Sequence, residues 1–272
     1  MKDEYEIYRG AIRGTWRDWW IAWPLSRRLA LGDVLHQVNG RIRPAGTLAD
    51  QGVPFTRRRG TQHNSYTYDT QGSATVRFKT AGTVADGFTA LAAADVGALV
   101  TFRASGSALV VYEGLTETGV TDERALAAHL VQLGWEKWDD SLYAVTQVVT
   151  AVAGTVLTSA STDASAELRL RAGAGQPQIG LADLTGGVSL ARSKSLGLKW
   201  ISSHPTPFFR VVRLRKNWFQ KVRTDYGPPQ PGRGAAPVPV PPLLLEEAQD
   251  HPEAVVETVP AEEQPLFTDL DA

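Results

Sequence analysis

The sequence predicts an α+β protein: a single domain with a twisted antiparallel β-sheet and peripheral helices, followed by a C-terminal tail. Three observations predict it. Short segments alternate apolar and polar residues between turn signals, a helical pattern is clear at residues 121–134, and the composition changes abruptly after residue 226. With 272 residues and 43% hydrophobic content, the chain has enough apolar material for one large core or two small ones.

Composition and the N-terminal residues exclude several classes of protein. The chain has no cysteine, which excludes a disulfide framework, a thiolate metal site and a cysteine nucleophile. The segment MKDEYEIYRG is polar and acidic, unlike a secretory signal, and no stretch approaches the roughly 20 apolar residues of a spanning helix. We therefore expect a cytoplasmic protein.

Four tryptophans lie close together near the start of the chain. Trp16, Trp19, Trp20 and Trp23 are three, one and three residues apart, which predicts one helical face that Pro24 terminates. Such a face is either an interfacial membrane anchor or part of the core. The general burial of tryptophan favours the core.

Turn signals divide the next hundred residues into short strands of alternating polarity. The predicted turns are Asn39-Gly40, Gln71-Gly72 and Ser105-Gly106-Ser107, and a strand flanks each of them on both sides. Hairpins of this kind imply an antiparallel sheet. The clearest helix follows at residues 121–134, TDERALAAHLVQLG, with Thr121 or Asp122 as its cap and Gly134 as its end.

Residues 143–162, YAVTQVVTAVAGTVLTSAST, combine helical spacing of the valines with the composition of a strand. Gly154 and the density of Val and Thr cost helix stability, so we predict a strand with two mildly apolar faces. The alternating residues 162–175 then pair with it as a hairpin through the sequence SAST. A further strand is predicted at residues 206–214, TPFFRVVRL.

Charge separates the body from the tail. The first 226 residues hold 27 Lys and Arg against 20 Asp and Glu, whereas the remainder holds one basic and nine acidic residues. Residues 227–242 form a Pro/Gly-rich linker, and residues 243–272 form an acidic tail with two apolar clusters. This asymmetry indicates a negatively charged partner or an acidic tail that covers a basic surface; a merely solubilising tail is the alternative.

The sequence offers little for catalysis. The five histidines, His36, His63, His129, His204 and His251, are scattered, and no metal-ligand, nucleophile-elbow or phosphate-loop motif is present. We therefore predict a protein that is not an enzyme and needs no cofactor. Basic residues interleaved with aromatics, in TRRRG (residues 56–60) and RVVRLRKNWFQKVR (residues 210–223), suit either nucleic acid or an anionic membrane surface.

The layout resembles the bacterial gasdermins, a family of pore-forming cell-death proteins. The features that carry the resemblance are the early hairpin with its basic loop (residues 31–55), the helix at 121–134 before the long strand, the closing strand at 206–214, and the short terminal tail. The resemblance covers roughly residues 31–214. It implies a gasdermin-N-like fold, a docked autoinhibitory tail, cleavage by a partner protease, and a homo-oligomeric pore in anionic lipid.

The resemblance also implies roles for particular residues. The tail anchors would be Leu243, Leu244, Leu245, Leu266 and Phe267, and the candidates for the cleavage region are Arg223, Asp225 and Arg233. Inserting hairpins would lie near residues 65–82 or 96–114 and near 145–170, with Val145, Val149, Val152, Val156, Leu168 and Leu170 as membrane-inserting candidates. Lipid-contact candidates are Trp16, Trp19, Trp20, Arg57, Arg58 and Arg59, since the N-terminal cysteine that many family members lipidate is absent.

The sequence thus predicts a protease-activated pore former with three parts: a body (1–226), a linker with the cleavage region (227–242) and an autoinhibitory tail (243–272). The resemblance implies a cytoplasmic monomer that becomes an inner-membrane oligomer and causes cell death, in anti-phage defence. The alternative is a non-enzymatic binding module, for nucleic acid or a protein partner, whose tail is a disordered acidic recognition segment. An enzyme of an unrecognised type ranks third.

Overall fold

Two β-sheets and a few peripheral helices make up the chain, as the alternating sequence pattern predicts. The structure, a computed structural model, describes residues 3–134, 138, 140–171, 179–226 and 239–267. The helices are α1 (Glu4–Trp16), α2 (Glu123–Gly134), α3 (Lys216–Tyr226), α4 (Pro242–Asp250) and α5 (Pro252–Val255). The α+β class and the single domain predicted from the sequence are confirmed.

Fifteen strands lie within the described residues. They are β1 (Trp20–Ile21), β2 (Asp33–Val38), β3 (Arg41–Thr47), β4 (Arg57–Asp69), β5 (Ala74–Lys79), β6 (Gly97–Phe102), β7 (Ala108–Val120), β8 (Leu142–Thr150), β9 (Ala153–Ser159), β10 (Ser165–Arg169), β11 (Ser189–Lys194), β12 (Leu196–Ser203), β13 (Phe208–Leu214), β14 (Val256–Thr258) and β15 (Leu266–Phe267). The larger sheet runs β12-β9-β7-β8-β2-β3-β15, with β4 on β7 and with β1 and β14 on β13, which pairs with β8. The smaller sheet runs β11-β10-β6-β5.

The predicted long strand at 143–162 is present as β8 and β9, which follow β7 in one continuous register. Thr116 faces Thr150 and Glu113 faces Ala153, so the same number of residues separates the paired positions on both strands. Gly114, with φ +61°, lies at the interruption. A Cβ at Gly114 would come within 2.6 Å of a methyl carbon of Val152, so only glycine fits this bend.

Turn signals predicted where the chain reverses but not always which strands pair. The Asn39-Gly40 hairpin between β2 and β3 is confirmed, with positive φ at both turn residues. By contrast, β4 and β5 on either side of Gln71-Gly72 belong to different sheets, and so do β6 and β7 around residues 105–107. The hairpin predicted between 143–162 and 162–175 is wrong, because β10 pairs with β6 and β11 instead.

The helix predicted at 121–134 is confirmed as α2. An oxygen of Asp122 accepts a hydrogen bond from the backbone N–H of Ala125 at 2.9 Å, the expected N-cap contact. The prediction that the four tryptophans from Trp16 to Trp23 lie on one helix is wrong. Helix α1 begins at Glu4, capped by Asp3, and ends at Trp16, while Trp20 lies in β1.

Helix α1 packs over the large sheet through buried aromatic side chains. The Tyr8 and Tyr112 hydroxyls lie 2.7 Å apart in a hydrogen bond with no exposure to solvent. Burial raises the pKa of both phenols well above the ordinary value, so both stay neutral. This contact fixes α1 against β7 and places the Arg side chains of α1 beside the C-terminal tail.

The segment between β5 and β6 is held against the smaller sheet by two buried charges. The ammonium of Lys79 donates to the carbonyls of Ala92, Ala93 and Asp95 at 2.7, 3.2 and 2.8 Å. The carboxylate of Glu167 accepts from the segment's Thr89 and Ala90 residues. Buried charges need such partners, and here both partners come from the segment.

Candidate functional site

The candidate site is the interface between the described tail residues, 239–267, and the body. The tail contributes α4, α5, β14 and β15, and all four elements contact strands or helices of the body.

Helix α4 packs on α2 through one face. Leu244 and Ala248, four residues apart, are buried in the same apolar cluster as Leu126 and Leu130 of α2. Trp218 of α3 donates its indole N–H to a carboxylate oxygen of Glu247 at 3.1 Å. The helix is therefore held by both apolar burial and a charge-assisted hydrogen bond.

The chain next adds an edge strand to the sheet. Strand β14 pairs antiparallel with β13, so that Val212 faces Thr258 and Leu214 faces Val256. Val255 and Val259, on either side of the strand, are fully buried. Because β14 satisfies the edge of β13, loss of the tail would leave the backbone groups of β13 without these partners.

Arg213 of β13 is the electrostatic centre of the interface. Its Nε lies 2.7 Å from Glu257 and its Nη2 lies 2.9 Å from Glu263, and Arg213 itself is only 8% exposed. Burial alone would lower the pKa of Arg213, but the hydrogen bonds and charges of the two carboxylates outweigh it and raise the pKa. A basic side chain of the body is thus neutralised by two acidic residues of the tail.

Strand β1 is bonded to the tail by side chains. The indole N–H of Trp20 donates to the carbonyls of Val259 at 3.0 Å and Pro260 at 3.1 Å. The side-chain amide of Gln264 accepts from the backbone N–H of Ile21 at 2.8 Å and donates to its carbonyl at 2.7 Å. Gln264 therefore satisfies the backbone of β1 as a neighbouring strand would.

The end of the described tail pairs with β3. Strand β15 runs parallel to β3, with Phe267 beside Ile42. Phe267 is buried, and the guanidinium carbon of Arg27 lies 4.1 Å from its ring centroid. The ring also packs against Phe209 of β13. The cation–π contact with Arg27 therefore adds to the apolar burial of Phe267, the last anchor of the described tail.

Helix α1 also touches the tail through its basic residues. Arg9 donates to the carbonyl of Ala261 at 3.5 Å, and Arg13 lies 3.9 Å from Glu262. Both side chains of the Arg13 and Glu262 pair are largely exposed, so this pair contributes little to stability. The position of the pair is more informative than its energy, because it shows an acidic side chain of the tail lying beside the arginines of α1.

Two of the predicted tail anchors are corrected by the structure. Leu243 is 61% exposed and Leu266 is 48% exposed, whereas Leu244 and Phe267 are buried and Leu245 is partly buried against the core. Consecutive residues of a helix point about 100° apart, so a run of three leucines cannot bury all its members. In β15, neighbouring residues face opposite sides, and only Phe267 faces the core.

The predicted lipid-contact and inserting residues are distributed over several surfaces. Arg57, Arg58 and Arg59 are exposed at the start of strand β4. The lipid contact of Trp16, Trp19 and Trp20 is corrected for this state, because all three indoles are at least 92% buried in the core. The predicted inserting residues are buried, except Val152, which is 56% exposed. The buried ones are Val145, Val149, Val156 and Leu168, which lie in strands of the two sheets, and Leu170, which directly follows β10.

The cleavage-region candidates do not share one environment. Arg223 and Asp225 lie in α3, so neither is in an extended linker, which corrects that expectation. Arg233 lies outside the described residues. Proteases bind extended chain, so the two helical positions are poorly placed for cleavage.

Sequence reasoning missed several interface residues. Arg213, Trp20, Gln264 and Val259 were not predicted as tail contacts, although they make its best hydrogen bonds and most complete burial. The charge asymmetry between body and tail was the available signal, but it does not identify which residues pair. Only the sheet order brings Arg213 beside Glu257.

The described residues offer little for other kinds of site. An open groove of about 510 Å³ is lined by Asp3, Glu4, Ile7, Ser105, Ser159 and Gly197, and its described lining includes no histidine, lysine or arginine to activate either serine. Within the described ranges, no cluster of three His, Asp or Glu side chains could hold a metal ion, and no helix has the length and apolar character to cross a membrane. No family model, curated protein or solved structure matches this chain.

Proposed function

We propose that this chain is a latent, protease-activated pore-forming protein whose acidic tail holds the body inactive. The observation that carries the proposal is that residues 256–267 bond to three separate body segments, β13, β1 and β3. The partners would be an activating protease and anionic membrane lipid. The protein would be a cytoplasmic monomer while the tail is docked and an inner-membrane homo-oligomer that kills the cell, in anti-phage defence, once it is released.

Charge supports the proposal. The body up to residue 226 has seven more basic than acidic residues, and tail carboxylates neutralise Arg213 and approach Arg13. Departure of the tail would leave these arginines without counter-charges. Near an anionic surface each basic side chain gains about 1 kcal/mol, so tail release would switch the body toward membrane binding.

Strand length supports it as well. Strands β4 and β7 each have 13 residues, and β8 with β9 follows β7 in unbroken register. A tilted strand needs about 9–11 residues to cross the hydrocarbon core. Because β9 is buried along its whole length, and β7 and β8 along most of theirs, these strands must rearrange before one face can meet lipid.

Dye release from vesicles tests the proposal. A site for a specific protease is placed in the 227–238 linker of the full chain, and release from anionic vesicles is measured before and after cutting. We expect release only after cutting, and much less from neutral vesicles. A matched chain with a scrambled protease site controls for the protease itself. The absence of release from a cut and still folded protein would refute the proposal.

The binding-module alternative remains open on one observation. Arg57, Arg58 and Arg59 are exposed together at the start of β4 and could contact phosphates. A nucleic-acid binder would show steep salt dependence with single-stranded DNA or RNA whether the tail is attached or cut. The docked tail favours the first proposal, since a recognition tail gains nothing from being folded on its own body.

A further inference from the structure

The four strands of the smaller sheet carry their charged side chains on one face only. Residues of β5, β6, β10 and β11 pair in cross-strand rows, and residues two positions apart along a strand lie on the same face. This register places all six charged residues of the four strands on one face: Arg77, Lys79, Glu167, Arg169, Arg192 and Lys194. The opposite face is apolar, and its Val100, Phe102 and Leu168 are buried in one cluster with Leu109 and Leu157 of the larger sheet.

Each strand of the smaller sheet also continues a strand of the larger one, through a connection of five residues or fewer. Strand β5 follows β4, β6 precedes β7, β10 follows β9, and β11 precedes β12. Neighbours run β4-β7-β9-β12 in the larger sheet and β5-β6-β10-β11 in the smaller, so the two lateral orders agree. Straightening of the four connections would lengthen the larger sheet without any change of neighbour. The strands of the smaller sheet are therefore the ones that can extend the pore wall.

A strand in a pore wall turns one face to hydrocarbon and the other face to water. A basic side chain on the lipid side costs about 2–4 kcal/mol at the bilayer midplane, so the charged face of the smaller sheet is the one that must meet water. Four of its six charged residues are already exposed, and the other two, Lys79 and Glu167, are covered by the segment between β5 and β6. The apolar face, which now packs on the larger sheet, is the one suited to lipid.

The charged face is basic in every cross-strand row. Row by row, its charged residues are Lys194 in the first, Arg77, Glu167 and Arg192 in the second, and Lys79 and Arg169 in the third. Each row therefore has a net positive charge, and the whole face has four more basic than acidic residues. Asp86 and Asp95 of the segment between β5 and β6 lower this excess to two without reversing its sign.

We propose that the pore conducts small anions in preference to cations, because the basic face of the smaller sheet lines its lumen. Each residue occurs once per copy, so a homo-oligomeric pore repeats every basic row as a ring around the lumen. Rings of Lys and Arg select for anions, as rings of Asp and Glu select for cations. The inference rests on the proposed function and names the class of solute that the pore passes.

Reversal potentials in planar anionic bilayers test the inference. The full chain with a protease site in the 227–238 linker is cut, added to the bilayer, and measured under a gradient of potassium chloride. The dilute side is kept at about 10 mM, where the screening length is about 30 Å, so that wall charges act across a wide lumen. We expect chloride to permeate about threefold more readily than potassium, or better. Anionic lipid by itself attracts cations, so an anion preference would come from the protein.

Charge reversal on the smaller sheet tests which face lines the lumen. Arg192→Glu combined with Lys194→Glu reverses two exposed side chains and removes the excess of positive charge on this face. The chloride-to-potassium permeability ratio should fall about threefold. Arg192→Gln with Lys194→Gln halves the excess and should give an intermediate ratio. Arg28→Glu with Arg124→Glu is the matched control and should keep the original ratio, since both arginines are exposed and lie outside the two sheets.

The outcomes distinguish this inference from the proposed function. Conductance without an anion preference, or a preference that survives the changes at Arg192 and Lys194, would overturn the inference and leave pore formation intact. An equal change of the ratio in the Arg28 and Arg124 control would also overturn it, because selectivity would then not depend on the smaller sheet. The absence of conductance from the cut and still folded chain would refute the pore, and this inference with it. Selectivity is read from each conducting pore, so weaker membrane binding by a variant does not alter it, and thermal melting checks the folding of every variant.

Discussion

The guanidinium Nε of Arg213 lies 2.7 Å from a carboxylate oxygen of Glu257, across the strand pair that joins the body to the tail. Arg213 is nearly buried, whereas Glu257 is about one quarter exposed at its side chain. Because the charge of Arg213 has little contact with solvent, its stability depends on its carboxylate partner. Detachment of the tail therefore costs the most free energy at Arg213. It also leaves the charged guanidinium of Arg213 without a carboxylate partner.

Glu257→Gln should loosen the tail without unfolding the body. The amide keeps the size of the side chain but removes the charge, at a cost on the order of 2 kcal/mol, which would raise the undocked fraction roughly thirtyfold. Hydrogen exchange of the β14 amides measures this directly. Glu253→Gln is the control, since its carboxylate lies near His251 in an exposed pair. Equal exchange in both variants would contradict a central role for Arg213.

Aspartate substitutions should separate buried from exposed anchors. Leu244→Asp and Phe267→Asp place a charge in the core, at a cost of about 3 kcal/mol or more, and should cause vesicle leakage or toxicity without cleavage. Leu243→Asp and Leu266→Asp alter exposed side chains and should change stability by less than about 0.5 kcal/mol. Growth of cells that express each variant measures toxicity. Four variants with the same phenotype would contradict the observed docking geometry.

Trp20→Phe should weaken the tail contact through its lost N–H. The indole serves two tail carbonyls, at Val259 and Pro260, and their loss should cost about 1–2 kcal/mol. Trp138→Phe is a matched control, because Trp138 is buried in the same core and its indole N–H has no hydrogen-bond partner among the described residues. Proteolysis of the uncut chain by a nonspecific protease measures docking. We expect the tail to be trimmed faster in the first variant than in the second.

Local signals in the sequence predicted local structure well. The Asn39-Gly40 turn sets positive φ at both residues and so specifies β2 and β3 by itself. The Gln71-Gly72 signal was equally local, yet β4 and β5 enter different sheets. A turn residue determines only that the chain reverses. The choice of neighbouring strand depends on the long-range burial of both faces, which periodicity does not encode.

The candidate site was also predicted in its general character but not in its individual contacts. The opposite charges of body and tail predicted a docked acidic tail, but the leucine run overstated the anchors, since Leu243 faces solvent. Helix α1 was not predicted, although its sequence contains the signals for it. Asp3 is its N-cap, and Tyr5, Tyr8 and Ile12 lie on its buried face. The tryptophan spacing masked that signal, because Trp20 is extended to pair with β13 despite its helical spacing from Trp16.

The part of the β5–β6 segment that Glu167 holds, at Thr89 and Ala90, should loosen from the smaller sheet at low pH, while the contacts of Lys79 hold the rest. Burial alone would raise the pKa of Glu167, but hydrogen bonds from Ala90 and Thr89 and the charge of Arg192 hold it below its ordinary 4.5. A lowered folded-state pKa stabilises the fold above pH 4.5, and this contribution is lost as the pH falls through the lowered value. Protection of the Thr89 and Ala90 amides against exchange should fall over that range. In Glu167→Gln it should be low at every pH.

Gly114→Ala should destabilise the body by distorting the bend between β8 and β9. The residue has φ +61°, which costs a non-glycine residue about 1–2 kcal/mol, and its new Cβ would lie 2.6 Å from a Val152 methyl carbon. Adding Val152→Ala removes the steric clash but leaves the cost of the positive φ. The double variant should therefore recover part of the lost stability. Gly40→Asn serves as the control, because no atom of the described residues lies within 4 Å of its added Cβ and asparagine tolerates its positive φ. Urea unfolding gives all four stabilities, and a double variant no more stable than Gly114→Ala would show that the two residues do not meet.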